Sequence, residues 1–168
     1  GTSGTATGHI TLDAVGNTSV GAVSSSAGTV DLEVTSGTLT TGAVSGLTGL
    51  VLKSSGNLAT GALTSANAGI NAQSTAGSVA LASAKAASGL VANAKTTLAV
   101  TTYAVSAGTA SLTAGTTYTG TSGTATGNIT LDAVGNTSVG AVTSSGGTVD
   151  LEVTAGTLTT GAVSGGLG

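Results

Sequence analysis

The chain has 168 residues, a formal net charge of −3 and only 5% charged residues, and it contains no Cys, Met, Trp, Phe, Pro or Arg. Two aromatics, Tyr103 and Tyr118, stand against 29 glycines, so a large aromatic or leucine-rich core is excluded and any core is thin, built from Val, Leu, Ile and Ala. Disorder is disfavoured as well, because an apolar fraction of 39% and frequent β-branched residues suit strands rather than a solvated coil.

The first predicted element opens at Gly8 and reads "GHITLDA"; the same outline returns at Gly28, Thr48, Ala68, Ser88, Gly108, Gly127 and Gly147. The third residue of each turn is Ile10, Val30, Leu50, Ile70, Leu90, Ala110, Ile129 and Val149. The fifth is Leu12, Leu32, Leu52, Ala72, Ala92, Leu112, Leu131 and Leu151. The sixth is Asp13, Glu33, Lys53, Gln73, Asn93, Thr113, Asp132 and Glu152. Two apolar columns two residues apart, with a polar column beside them, describe a strand with one buried face. One such strand every ~20 residues stacks in parallel on its predecessor, which is a parallel β-helix, or β-solenoid. Right-handed crossovers are the norm between parallel strands, so a right-handed coil is expected, with no helices.

A second strand follows in each coil, as in "NTSVGAV" (17–23), "GTLTTGAV" (37–44) and "NLATGAL" (57–63). Its phase drifts by one residue between coils. Counted at a constant interval, its thirteenth column reads Val20, Thr40, Thr60, Ala80, Val100, Gly120, Val139 and Thr159. A third short side is expected near "SSSAG" (24–28). Glycines 8, 28, 108, 127 and 147 are expected at corners, where positive φ is tolerated.

A longer repeat overlies these coils. "GNTSVGAV" occurs at 16–23 and again at 135–142, and 135 − 16 = 119. Residues 120–165 reproduce residues 1–46 except at His9/Asn128, Ser24/Thr143, Ala27/Gly146 and Ser36/Ala155. The 119-residue unit holds six turns, spanning residues 8–126, with a partial second copy at 127–168. The whole reads as one continuous solenoid of about eight coils, roughly 40 Å long at the ordinary strand spacing.

No run approaches the ~20 apolar residues of a membrane-spanning helix. Without Cys the redox compartment is not readable. Absent Arg and a weakly acidic balance argue against a nucleic-acid partner. Neither a secretory leader nor an initiator Met is visible, which suggests an interior piece or a processed product.

Chemistry-bearing residues are sparse. Asp13, Asp31, Glu33, Asp132, Asp150 and Glu152 are all the carboxylates. Asp13 and Glu33 on adjacent coils resemble an acid/base pair in spacing; an outward polar ladder partly balanced by Lys53 is the plainer reading. The loops needed for calcium are missing, so no metal, cofactor or catalytic residue is expected. His9, whose counterpart is Asn128, reads as a solvent-facing corner residue. The "TAT" and "TLT" pairs suggest an ice-binding face, but the broken thirteenth column opposes it. Tyr103 and Tyr118 lie in different columns and read as gap fillers rather than a sugar platform. Asn17, Asn128 and Asn136 begin N-x-[ST] sequons, a weak indication of glycosylation.

The stretch "GHITLDAVGNTSVGAVSSSAGTVDLEV" (8–34), with its ~20-residue turn and "TGAVS"-like second strand, resembles the haemagglutinin-type repeats of large bacterial exoproteins, namely filamentous-haemagglutinin-like two-partner-secreted adhesins and autotransporter passengers. The resemblance runs from residue 8 to about 164. It implies a right-handed β-helical stalk outside a Gram-negative cell, acting in adhesion or biofilm architecture. The expected partners are covalently adjacent repeats or copies of the same chain, with a host or neighbouring cell reached through a tip. Two further functions stay open: a filament subunit stacking end to end, and a sugar- or ice-binding solenoid.

Overall fold

The computed structural model describes residues 2–166. Every regular element among them is a β-strand, and all strand pairs are parallel. The chain winds as a β-solenoid of about eight coils.

One side of each coil belongs to an eight-stranded sheet that runs without interruption from Ile10–Ala14 to Val149–Val153. Its register places Ile10 beside Val30, Val30 beside Leu50 and Leu50 beside Ile70, and so on to Val149. Leu12, Leu32 and Leu52 form the next inward column, continued through Leu112, Leu131 and Leu151. These are the two apolar columns expected from the sequence. Val30, Leu50, Leu52, Ile70, Leu90, Leu112, Ile129 and Leu131 are fully buried, while Ile10, Leu12, Val149 and Leu151 on the outermost coils are partly so.

The rest of each coil forms a twelve-stranded sheet. Its fullest strand, Leu58–Ser65, shows how it bends. Leu58 and Thr60 point inward, Gly61 and Ala62 both face out, and Leu63 and Ser65 point inward again. Two consecutive outward residues slip the alternation by one and fold the sheet into two facets. In the first two coils the bend splits the strand altogether, giving Thr18–Val20 and Val23–Ser25, then Leu39–Thr41 and Val44–Gly46. The facet beginning at Val23 is the third side.

The thirteenth column requires correction. Val20 pairs with Thr41 rather than Thr40, Thr60 with Leu81 rather than Ala80, and Val139 with Thr160 rather than Thr159. The cause is corner length. Between the two sheets the chain crosses in three residues at 15–17, 55–57, 95–97, 115–117 and 134–136, but in four at 35–38, 75–78 and 154–157. A four-residue corner delays the second sheet by one position, and the next three-residue corner restores it.

The glycine expectation is also revised. Of Gly8, Gly28, Gly108, Gly127 and Gly147, only Gly108 has a left-handed φ, at 150°. Gly28 is required for a different reason: a Cβ there would lie 2.5 Å from the backbone nitrogen of His9. Corners of successive coils approach so closely that a side chain has no room.

Candidate functional site

This framework positions three groups of polar or unusual residues, and beside them a column of hydroxyls on the third facet.

The outer face of the eight-stranded sheet carries the polar column. Asp13 pairs with Glu33, Glu33 with Lys53, Lys53 with Gln73, Gln73 with Asn93, Asn93 with Thr113, Thr113 with Asp132 and Asp132 with Glu152. The ladder is therefore continuous, as the sequence suggested. Asp31 and Asp150 stand one column over, beside Val51 and Thr130 respectively. A depression of about 190 Å³ lies over Glu33, Lys53, Gln73 and Thr75. Asp13 and Asp132 are exposed, and Glu33 and Lys53 half-buried. At such positions water screens the Glu33–Lys53 attraction to about 0–1 kcal/mol, while Asp31 Oδ1, one column over, is buried with no hydrogen-bond partner among the described residues.

The corners hold a recurrent clamp. Wherever a three-residue corner ends in Asn17, Asn57 or Asn136, the next coil has a four-residue corner, which brings an extra backbone N–H. Asn17 Oδ1 accepts from the Thr38 N–H at 3.0 Å and from its hydroxyl at 3.2 Å. Asn57 does the same for Ser78, at 2.9 and 3.1 Å, and Asn136 for Thr157, at 3.0 and 3.2 Å. On the opposite corner Asn128 Oδ1 accepts from the Thr148 N–H at 3.0 Å. His9 replaces it in the first copy, with Nδ1 accepting from the Thr29 N–H at 3.1 Å and lying 2.7 Å from the Thr29 hydroxyl. The His9/Asn128 difference is thus a change of acceptor atom, not of role.

Each clamp needs a glycine immediately before the clamped residue. A Cβ on Gly37 would stand 2.7 Å from Asn17 Oδ1, and one on Gly77 would stand 2.5 Å from Asn57 Oδ1. Gly147 and Gly156 abut Asn128 Oδ1 and Asn136 Oδ1 in the same way, and Gly28 abuts the backbone of Gly8 and His9. Asn17, Asn128 and Asn136 thus owe their place in the sequence to backbone satisfaction, with the sequons accompanying it. The signal was present in the sequence as a G-N (or G-H) pair followed about twenty residues later by G-T or G-S. It becomes readable only when the coils are paired.

Inside the corners, buried serines do related work. Ser25 Oγ accepts from the Gly28 N–H at 2.8 Å and donates to the Gly8 carbonyl of the preceding coil at 2.6 Å. Ser144 repeats this with Gly147 and Gly127, at 2.9 and 2.8 Å.

The third group is the tyrosine pair. Tyr103 and Tyr118 are 5% and 2% exposed, within the core. Both fill space that glycines leave. A Cβ on Gly123 would fall inside the Tyr103 ring, and one on Gly120 would meet the Tyr118 hydroxyl. Burial pushes the Tyr103 hydroxyl up to about 12. Tyr118 is raised further, by burial first and then by the charge that would form on Tyr103. Among the described residues Tyr103 Oη has no hydrogen-bond partner. The ring fills the space over Gly123, while its buried hydroxyl is held protonated.

Ser24 and Ser45 join a column of hydroxyls that the sequence reading missed. It runs through Thr5, Ser24, Ser45 and Thr64 on the outer side of the third facet, with a 2.8 Å bond from Ser45 to Ser24. Lys85 and Ala104 interrupt it before Thr124 and Thr143.

The chain matches no protein-family model, no curated protein and no solved structure.

Proposed function

We propose that this chain is a stalk segment of an extracellular bacterial fibre or adhesin, not an enzyme, and that its work is to supply length and stiffness between a cell surface and a binding tip. One observation carries the reading. The 119-residue repeat spans six whole coils, so residues 119 apart occupy the same column of the same facet. Ile10 and Ile129 lie in one column, as do Val20 and Val139, and Val23 and Val142. Units repeated in tandem at that interval lengthen the solenoid without redesigning any core, because each coil contacts chiefly its neighbours. The polar surface of Thr, Ser and Asn, the low charge and the resemblance to haemagglutinin-type repeats support an extracellular setting.

Labelling tests this placement. An antibody raised against the 168 residues is expected to stain intact cells of the source organism, and protease added outside to remove the stain. Signal appearing only after lysis would overturn the extracellular assignment.

A second reading is that separate chains stack end to end through their edge strands. It is favoured by the half-exposed apolar residues of the last described coil, Leu158 at 40% and Val163 at 45%. Sedimentation separates the two: end-to-end stacking predicts mass rising with concentration, and a covalent stalk predicts a constant monomer.

A further inference from the structure

The duplicated sequence shows one surface twice, once covered and once bare. In the second copy Gly123, Ile129, Leu131, Thr137 and Val139 lie under the coil before them. Tyr103 sits against Gly123, Ala110 and Leu112 stand beside Ile129 and Leu131, and Tyr118 stands beside Thr137. The four with side chains are between 0% and 3% exposed. The same residues recur 119 positions earlier as Gly4, Ile10, Leu12, Thr18 and Val20, on the edge strands Gly4–Ala6, Ile10–Ala14 and Thr18–Val20. There Ile10, Leu12, Thr18 and Val20 are only partly covered, and nothing lies within 4 Å of a Cβ built on Gly4.

We infer that this edge is the docking surface for a tyrosine-bearing coil, residues 103–119 of another copy of the 119-residue unit, with the ring of its Tyr103 seated on Gly4. The inference rests on the stalk reading and names the partner that reading leaves open. The inward column containing Gly4 runs through Val23, Val44, Leu63, Ala84, Tyr103, Gly123, Val142 and Val163. Only Gly4 and Gly123 lack a side chain. A glycine facing the core leaves a hole unless a neighbour fills it, and at Gly123 the neighbour is a tyrosine ring. Gly4 is the same socket without its ring. The far end of a second intact chain is a poorer occupant, because it would set Val163 opposite Gly4, and valine is too small to fill a space shaped for a tyrosine.

The test joins a copy of residues 48–119 ahead of Gly1, so that the junction repeats the native Thr119–Gly120 bond. Tyrosine ionisation is then followed by ultraviolet absorbance in the fusion and in the 168-residue chain. All four tyrosines of the fusion are expected to ionise well above the ordinary value of about 10. Gly4→Val is expected to leave the unfolding midpoint of the 168-residue chain unchanged and to lower that of the fusion by several degrees. A fusion carrying Tyr103→Leu only in the added copy should recover part of that loss. Added tyrosines that ionise near 10, or a Gly4→Val change tolerated equally in both proteins, would overturn the proposal. So would concentration-dependent assembly of the 168-residue chain that Gly4→Val abolishes, since the occupant would then be a second copy. Rod length keeps the two readings apart. A fusion that lengthens while its added tyrosines ionise near 10 defeats only the docking proposal, and a fusion that does not lengthen defeats the stalk.

Discussion

At the scale of single residues, stability is set by how coils touch rather than by local conformational preference. Gly28 and Gly8 begin the first two turns in the same way, yet a Cβ on Gly28 meets the backbone of His9 while one on Gly8 meets nothing. Gly28→Ala is therefore expected to cost about 1–3 kcal/mol, and Gly8→Ala less than about 0.5 kcal/mol, as read from urea midpoints. Tyr103 makes a prediction of opposite sign. Its hydroxyl is buried without a partner, so Tyr103→Phe is expected to leave stability unchanged or raise it, because a desolvated polar group is removed and the ring is kept. The same hydroxyl sets a pH limit. Its folded value, about 12, lies above the unfolded value of 10.0, so above pH 10 the unfolded chain holds fewer protons than the folded one. Its ionisation leaves stability untouched below pH 10 and lowers it as pH rises from 10 through 12. Denaturant midpoints measured at pH 8, 10 and 12 should fall in that order, and less steeply in Tyr103→Phe.

At the scale of elements, strands are rigid in register and corners are elastic. The eight-stranded sheet keeps a step of 20 residues, falling to 19 once, between Ala110 and Ile129. The twelve-stranded sheet takes steps of 21 from Thr18 to Leu39 and 19 from Leu39 to Leu58. This difference decides what was legible in the sequence. Two inward columns of the first sheet could be read because their residues are Ile, Val, Leu and Ala at a nearly constant interval, beside a polar column; its third inward column, which includes the buried Ser54 and Ser74, could not. The second sheet could not, because its corner varies by one residue and its inward positions include Thr41, Thr60 and Gly120, which erase the contrast between faces. The clamps were hidden for a related reason: Asn17 and Thr38 are 21 apart while Asn128 and Thr148 are 20 apart, so no single period collects them. One extra residue inserted into the corner at 66–69 is accordingly expected to cost no more than about 1 kcal/mol. One inserted within Ile70–Ser74 turns Ala72 and Ser74 outward, and is expected to cost at least the ~2–5 kcal/mol of an emptied core position. Thermal unfolding of the two variants checks this.

At the scale of the whole molecule, stacking one coil on another is the repeated event, and the sequence repeat counts it in sixes. Behind the eight-stranded sheet the interior changes little from coil to coil, with Val30, Leu50, Ile70 and Leu90 following one another at the same height in the cross-section, while the third facet varies through Leu63, Ala84, Tyr103 and Gly123. Nothing in such an interior sets an upper length. Stability should grow with the number of coils, and the rod should grow by six strand spacings, about 29 Å, for each added unit. The measurement that tests this most directly is rod length by negative-stain electron microscopy for chains of one, two and three complete 119-residue units. The account predicts rods of constant width whose length increases by about 29 Å per unit. Particles that widen instead of lengthening, or that show the same length whatever the number of units, would contradict it.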